Sequence, residues 1–231
     1  MADRSVLITG GTGGLGAAVT ATFVEAGWRV VAPQRHQPTP TPHPDANAPV
    51  RLVADLTDVS DVARVVEVAA GDPAAPLRAV VNLVGGYAST GLVHETPVEE
   101  FERMLTLNLR PTHLVTRAAL PHLIEGGGGA VVCVASRAAV APFPGVAGYV
   151  TAKAAVLAFA SAVAVEYKAA GVRCNTVLPS IIDTPNNRAT MPDADHSRWV
   201  SPAEIASVIR FLASDESGPT SGAAVPVYGR A

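Results

Sequence analysis

The sequence predicts a single α/β domain over residues 1–231, built as a doubly wound, seven-stranded parallel sheet with helices on both faces. Three observations support this prediction. Short apolar runs alternate with helical stretches along the chain, which is typical of successive βαβ units. A glycine-rich segment joins the first run to the first helix, as in Rossmann-type nucleotide-binding folds. The chain has 231 residues, 48% of them apolar, and so can bury one large core.

The first βαβ unit is the clearest part of the pattern. Ser5–Thr9 is a short apolar run that ends in glycines and predicts a buried strand. Gly14–Ala26 has helical apolar spacing and stops at Gly27, a typical residue just beyond a helix end. Arg29–Ala32 predicts the second strand.

Residues 33–49 contain six prolines, which forbid a regular helix over most of the segment. We expect a surface loop there. Beyond it, the pattern predicts a strand at Val50–Val53, an amphipathic helix at Val59–Ala69 and a fourth strand at Ala79–Asn82.

One long helix is predicted from Pro97 to about Leu120, with Thr96 as its N-cap. Pro111 should kink this helix or split it just after Asn108, because proline cannot donate within a helix.

The last third of the chain completes the alternation. Residues 179–200 are predicted to be irregular and to form a substrate loop. The regular elements expected around them are strand Ala130–Ala135, helix Tyr149–Ala170 ended by Gly171, strand Val172–Leu178, a helix from the Ser201/Glu204 capping box to about Ser214, and strand Ala224–Tyr228.

Charge and composition argue against several classes of partner and cellular location. Net charge is −3 with no basic run, so neither nucleic acid nor a membrane surface is an expected partner. The N-terminus turns glycine-rich too early for a signal peptide. The longest apolar region is broken by Pro142, Pro144 and Lys153, so no membrane span is predicted.

Cysteine and histidine usage adds two expectations. Cys133 and Cys174 fall in apolar, strand-like runs, which predicts buried thiols in a reducing cytoplasm. The six histidines are scattered without metal-ligand spacing, so no metal site is expected.

The segment from Thr9 to Gly16 lies where a dinucleotide-binding turn should be. Its glycines permit a tight turn and let the backbone approach a pyrophosphate. The N-terminus of the following helix offers free N–H groups to that anion. The segment therefore predicts nucleotide binding.

Ser136, Tyr149 and Lys153 carry the candidate chemistry. Tyr149 and Lys153 are four residues apart on a predicted helix and so share one face. A nearby cation should lower the phenol pKa and make Tyr149 a proton donor tuned towards working pH. Ser136 follows a predicted strand, from which its hydroxyl can reach the same reacting oxygen.

These segments together resemble the short-chain dehydrogenase/reductase family, most closely its compact branch of 3-oxoacyl-carrier-protein reductases. The glycine loop matches T-G-x-x-x-G-x-G. Ser136, Tyr149 and Lys153 match the catalytic set, and Asn108 matches its helix asparagine. Asn82-Leu83-Val84-Gly85 resembles N-N-A-G, although Leu83 and Val84 depart from it. Residues 179–185 resemble P-G-x-x-x-T with a serine in place of glycine, and the resemblance covers nearly the whole chain.

The resemblance implies an oxidoreductase that exchanges hydride between a nicotinamide and a carbonyl or alcohol. Tyr149 transfers the proton, Ser136 holds the substrate oxygen, Lys153 also holds the ribose, and Asn108 holds a water that links Lys153 to solvent. The cofactor-binding residues it implies are Thr9, Gly10, Thr12, Gly14, Leu15, Gly16, Arg35, Asp55, Leu56, Asn82, Val84, Gly85, Tyr149, Lys153, Pro179, Ile182 and Thr184. From the residues alone, Asn108 can instead satisfy a backbone group freed by Pro111, and Asp55 can be a plain turn or N-cap residue.

NADP(H) is favoured over NAD(H). An acid at the end of the second strand would accept from the ribose 2′-hydroxyl and repel a 2′-phosphate. The sequence has Gln34, Arg35 and His36 there, and Arg35 can pair with a phosphate.

The resemblance also implies that the substrate is a small carbonyl or alcohol compound, either a ketone or aldehyde or a 3-oxoacyl thioester. Its expected walls are Phe143, Ile181, Met191 and Trp199, each of which can equally be core. The alternatives are a pterin or quinonoid reductase-like enzyme, a catalytically silent NADP-binding regulator, and an isomerase or dehydratase of the family's longer branch. The short stretch after Tyr149 disfavours that branch. The long helices around Asn108 and after Tyr149 resemble the family's subunit-packing pair, which implies a homodimer or homotetramer. The second helix offers small residues for close contact at Ala154, Ala155, Ala158 and Ala162.

Overall fold

The computed structural model describes residues 2–37 and 47–230, and these form one α/β unit around a seven-stranded parallel sheet. The strands are β1 (Ser5–Thr9), β2 (Arg29–Gln34), β3 (Val50–Val53), β4 (Leu77–Asn82), β5 (Gly129–Val134), β6 (Val172–Pro179) and β7 (Ala224–Val227). The helices are α1 (Gly14–Glu25), α2 (Val59–Ala70), α3 (Val98–Asn108), α4 (Arg110–Glu125), α5 (Ala147–Glu166), α6 (Pro185–Thr190) and α7 (Pro202–Ala213). The predicted fold class is confirmed.

The strand order is β3-β2-β1-β4-β5-β6-β7, with every pair parallel. Successive residues of β1 point to opposite faces, as strand geometry requires. Leu7 packs beneath α2, α4 and α5, whereas Val6 and Ile8 pack beneath α1 and α7. Both faces are therefore covered, which explains why the strands are apolar throughout.

The predicted loop at residues 33–49 starts too early. Pro33 and Gln34 belong to β2 and pair with Leu52 and Val53 of β3. The pairing of β2 with β1 ends at Val31, so Pro33 lies where β2 has a partner on one side only, a position that tolerates proline. Part of the predicted loop, residues 38–46, lies outside the described residues.

The split near Pro111 is confirmed, because α3 ends at Asn108 and α4 begins at Arg110. The predicted N-cap was wrong. Pro97 occupies that position, and the Thr96 hydroxyl instead donates to the Leu92 carbonyl at 3.1 Å. The turn upstream of α3 therefore determines the hydrogen bonds of Thr96, despite the preference of threonine for N-cap positions.

Residues 179–200 are more regular than predicted. They hold α6, capped by the Thr184 hydroxyl, which accepts from Asn187 N at 3.2 Å. A 3₁₀ turn follows at His196–Arg198. Short helices of this kind carry too few residues to show periodicity in a sequence.

Among the described helices, α5 is long and apolar enough to cross a membrane, judged by length and composition alone. The single Lys153 does not interrupt this stretch, but a buried core helix passes the same test, so the helix is weak evidence against the prediction that there is no membrane span. In the fold, α5 packs on the sheet and buries Lys153, as the core helix of a doubly wound domain does.

The capping box at the start of α7 is confirmed and gives a test of local stability. Ser201 Oγ accepts from Glu204 N at 3.2 Å, and Glu204 Oε2 accepts from Ser201 N at 2.9 Å. We expect Ser201→Ala to lower the free energy of unfolding by about 1 kcal/mol, because it removes a cap. Denaturant unfolding measures this, with Ser207→Ala inside the same helix as control. An equal loss in both variants would contradict the capping role.

Candidate active site

A cleft of about 1130 Å³ opens at the carboxyl ends of β1, β2 and β4. Strand order reverses between β1 and β4, and doubly wound sheets bind ligands at that switch point. Leu107 and Pro111 also line the cleft, which the sequence analysis did not foresee. The predicted cofactor-binding residues that line it are Gly10, Thr12, Gly14, Leu15, Gly16, Arg35, Asp55, Leu56, Val84 and Gly85.

The glycine loop is shaped by close packing. Gly10 has a φ of +68° and accepts from Gly13 N at 3.0 Å. A Cβ on Gly16 would lie 1.9 Å from the Gly10 carbonyl oxygen, so the turn needs glycine there. No side chain of the described residues caps α1, which leaves its first N–H groups available to an anion. A dinucleotide pyrophosphate fits this loop.

Basic side chains line the cleft beyond the end of β2. Arg35 and His36 lie there as predicted, and Arg51 of β3 joins them. Arg51 donates to Gln34 Oε1 at 3.3 Å, and Gln34 donates to the His36 carbonyl at 2.6 Å. The sequence analysis missed Arg51 because only the pairing of β3 with β2 brings it to this position.

Asp55 lies at the rim of the cleft as a structured turn residue. Its Oδ1 accepts from Thr57 N at 2.9 Å and Thr57 Oγ1 at 2.7 Å. These bonds, the backbone one first, lower the pKa of Asp55. The N-cap of α2 is Asp58, so the N-cap alternative for Asp55 was wrong, whereas the turn alternative agrees with the structure.

Ser136 and Tyr149 meet between β5 and α5. Ser136 follows β5 and accepts from Ala138 N at 3.2 Å, and Tyr149 lies in the first turn of α5. The prediction that Lys153 lowers the phenol pKa was wrong for this structure. Burial raises the pKa of Tyr149, and a hydrogen bond with Ser136 offsets this only in part.

Lys153 is buried, with only 6% of its surface exposed. Its ammonium donates to the Val134 carbonyl at 3.0 Å. Burial lowers the pKa of Lys153 from 10.5 to about 8, and the neighbouring Cys133 sulfur opposes that shift. A Cβ on Gly85 would lie 3.0 Å from Lys153 Nζ, so the lysine reaches the end of the cleft.

Asn108 is fully buried and clamps the turn after β4. Its Nδ2 donates to the Gly86 carbonyl at 3.1 Å and to the Met104 carbonyl at 3.0 Å, and its Oδ1 accepts from Gly86 N at 3.0 Å. The carbonyl left without a donor by Pro111 belongs to Leu107, which is not among these partners. The alternative of a merely local helix role is therefore disfavoured, and the water-holding role stays a prediction.

Thr9 and Asn82 lie behind the cleft wall. Thr9 Oγ1 accepts from Leu83 N at 3.1 Å and from Val84 N at 3.4 Å, which holds the turn that lines the cleft. Asn82 is buried and donates to Thr116 Oγ1 at 3.0 Å. Direct cofactor contact by these two side chains stays a prediction.

Pro179, Ile182 and Thr184 do not line the cleft. Pro179 ends β6, and Ile182 bridges to Val200. Thr184 caps α6, and a Cβ on Gly14 would lie 2.8 Å from Thr184 Cγ2. The segment therefore packs against the glycine loop, although contact with a cofactor is untested.

The predicted substrate walls divide into two kinds. Phe143 and Ile181 are exposed, as walls of an open site should be. Trp199 is buried and stacks at 4.3 Å on His196, so it belongs to the core, while Met191 is half-buried. The sequence analysis missed Tyr87, whose ring lies edge-on to Tyr149 at 5.3 Å.

A parallel sheet with a cleft at its switch point and a Ser–Tyr–Lys group beside it defines a nicotinamide-dependent oxidoreductase. Comparison with known proteins gives the family. The family model for short chain dehydrogenases matches residues 4–195. The chain therefore belongs to the short-chain dehydrogenase/reductase family, whose members act on alcohol and carbonyl groups.

Relatives match over almost the whole chain. The 2-(R)-hydroxypropyl-CoM dehydrogenase of Xanthobacter autotrophicus is 32% identical over 245 residues, which cover 98% of each chain. The 3-oxoacyl-[acyl-carrier-protein] reductase MabA of Mycobacterium bovis is 30% identical and covers 98% of this chain and 92% of its own. Together they support the predicted resemblance.

Solved structures agree with the fold. A short-chain type dehydrogenase/reductase from Mycobacterium ulcerans has a TM-score of 0.89 at 28% identity, covering 100% of this chain and 90% of its own. ElxO with NADP bound has a TM-score of 0.90 at 25% identity, covering 98% of each chain.

The buried ammonium predicts a pH-dependent stability. The unfolded chain binds more protons than the folded one between pH 8 and 10.5, so the contribution of Lys153 to stability rises with pH there. Well below pH 8 the ammonium is charged in both the folded and the unfolded chain. Its burial then lowers the free energy of unfolding by about 3 kcal/mol. We expect Lys153→Met to be more stable than the wild type at pH 7 and to lose that pH dependence.

Denaturant unfolding at pH 7, 8, 9 and 10 measures the effect. The exposed Lys168, the other lysine of the chain, gives the matched control Lys168→Met. The burial argument fails if, between pH 8 and 10, the free energy of unfolding of Lys153→Met depends on pH as steeply as that of the wild type.

Proposed function

We propose that this enzyme is an NADP(H)-dependent oxidoreductase that interconverts a carbonyl and an alcohol, with Tyr149 as the proton donor and acceptor. The observation that carries the proposal is that the buried Lys153 ammonium reaches Gly85 at one end of the nucleotide cleft, one helical turn along α5 from Tyr149. The nicotinamide cofactor supplies or accepts the hydride when it is bound.

Side chains of the protein bind the substrate and the cofactor and transfer the proton. Ser136 orients the substrate oxygen next to Tyr149. This placement brings the reacting groups close together, which accelerates the reaction. Tyr149 has a raised pKa and is therefore protonated at neutral pH, ready to donate to a carbonyl. Lys153 holds the ribose hydroxyls at the Gly85 end of the cleft, and Asn108 fixes the turn between them.

The preference for NADP(H) is supported by charge. Arg35, His36 and Arg51 line the cleft beyond β2, and Gln34 stands where an acid would repel a 2′-phosphate. Gln34 also accepts from Arg51, which holds that guanidinium beside the site. The relative ElxO has a structure with NADP bound.

The substrate is proposed to be a ketone or aldehyde, or a 3-oxoacyl thioester. The second option draws support from the similarity to MabA, named as a 3-oxoacyl-[acyl-carrier-protein] reductase. The shared requirement is a carbonyl that reaches Ser136 and Tyr149.

We also propose a cytoplasmic homodimer or homotetramer. Ala158 and Ala162 are exposed on α5, and Val165 on the same helix has 77% of its surface exposed. Small side chains of this kind let two helices approach closely. Both thiols are buried and unpaired, which suits a reducing compartment.

Tyr149→Phe tests the proton transfer. The ring is kept and the hydroxyl is lost, so turnover should fall by about 10²–10⁴-fold, the usual contribution of a general acid. Oxidation of NADPH with a panel of ketones measures the rate, and titration of NADPH fluorescence checks that cofactor binding survives. Near wild-type turnover in the variant would show that Tyr149 is not the proton donor.

Arg35→Ala tests the cofactor preference. Loss of a charge-assisted bond to the 2′-phosphate should weaken NADPH by about tenfold or more, with little change for NADH. Calorimetric titration of both cofactors gives the two constants. Arg210→Ala, on α7 and outside the cleft, should change neither. Equal losses for NADPH and NADH in Arg35→Ala would refute the preference.

A further inference from the structure

The exposed apolar side chains of the described residues are unevenly distributed. Six of the twelve large ones lie in the loops that directly follow β4, β5 or β6, at the carboxyl edge of the sheet. Scattered exposed apolar residues are ordinary, but a cluster marks a binding surface. The cluster comprises Tyr87, Leu92, Val93, Val140, Phe143 and Ile181.

Two of these segments are joined to each other. The carbonyl of Gly145 accepts from Thr90 N at 2.9 Å and from Ser89 Oγ at 3.1 Å. The loop at residues 86–96 is thereby fastened to the loop at residues 137–146. Tyr87 and Phe143 lie in these joined loops and are 60% and 50% exposed.

Tyr87 is the member of this cluster whose ring contacts the Tyr149 ring. Its ring meets the Tyr149 ring edge-on, with centroids 5.3 Å apart and an interplanar angle of 78°. This is the geometry that aromatic pairs prefer. A side chain that contacts the proton donor and remains mostly exposed is placed to contact whatever Tyr149 acts upon.

The charges nearby are already paired. The two joined loops hold no lysine, and their one arginine, Arg137, lies with its guanidinium 5.1 Å over the Tyr228 ring. After β6, Arg188 donates twice to the Asp183 carboxylate. The other basic side chains of these segments also have partners: His94 lies 3.9 Å from the Glu95 carboxylate, His196 hydrogen-bonds the Met191 carbonyl at 2.9 Å, and Arg198 donates to the Arg230 carbonyl at 3.4 Å. Each cation is thus already engaged, which disfavours a substrate carboxylate, sulfonate or phosphate near the reacting carbon.

We propose that Tyr87 is a substrate-contacting, specificity-determining residue and that the substrate is a neutral ketone or alcohol with an aromatic group beside the reacting carbon. The inference rests on the proposed carbonyl chemistry of Tyr149. Tyr87 and Phe143 provide apolar contact for the aromatic group, and the edge of a substrate ring can pack on Tyr87 as Tyr149 does.

Matched ketones test this. The probes are acetophenone, its charged analogue 4-acetylbenzoate, and 2-butanone, each assayed with NADPH, together with the corresponding alcohols and NADP. Wild-type kcat/KM should be highest for acetophenone and 1-phenylethanol. Tyr87→Ala should lower kcat/KM for these two by about three- to tenfold, the value of an aromatic contact, and leave 2-butanone within about twofold. Tyr87→Phe should retain the wild-type preference.

The control is Phe211→Ala, which removes an exposed aromatic ring from α7, away from the three segments. It should not change the ratio of the acetophenone and 2-butanone constants. The inference is overturned if the wild type prefers 4-acetylbenzoate, or if Tyr87→Ala lowers both neutral ketones equally. Failure of the proposed function looks different: no member of the panel is turned over in either direction, although NADPH binds.

Discussion

The position of β1 beside β4 is the constraint on which the rest of the site depends. The chain winds outward to β3 on one side and to β7 on the other, so a crevice forms where the two halves diverge. Parallel strands send all their carboxyl ends to the same edge. Gly10 after β1 and Gly85 after β4 consequently line one cleft, and Ser136 after β5 lies at the same edge of the sheet, although it is 126 positions further along the chain than Gly10. No local interaction brings them together.

Much of this architecture could be predicted from the sequence because local residue patterns determine where its helices and strands begin and end. Nearly every helix and strand could be located from the apolar runs, from the glycines that end them and from Pro111. The errors arose where tertiary context decides. Pro33 enters β2 because β1 no longer pairs there, and Arg51 enters the cleft because β3 pairs with β2. Neither fact has a signature in the neighbouring residues, and the short helix α6 carries too few turns for a period.

The site could be predicted by resemblance for its residue types, but not for their electrostatics. A Tyr–Lys pair four residues apart on a helix suggests a cation that eases phenol ionisation. The fold removes both groups from water, and this raises the free energy of their charged forms. The four-residue spacing does not reveal that cost. Burial raises the pKa of Tyr149 and lowers that of Lys153 to about 8. The buried environment disfavours either charge on its own, which is how functional polar groups commonly reduce stability.

The two shifts have a consequence for the direction of proton transfer. Because burial raises the pKa of Tyr149, its phenol is neutral at pH 7 and carries the proton that the proposed reduction of a carbonyl consumes. Donation to a carbonyl oxygen fits this arrangement at neutral pH. Removal of a proton from an alcohol requires the phenolate beforehand and is favoured at higher pH.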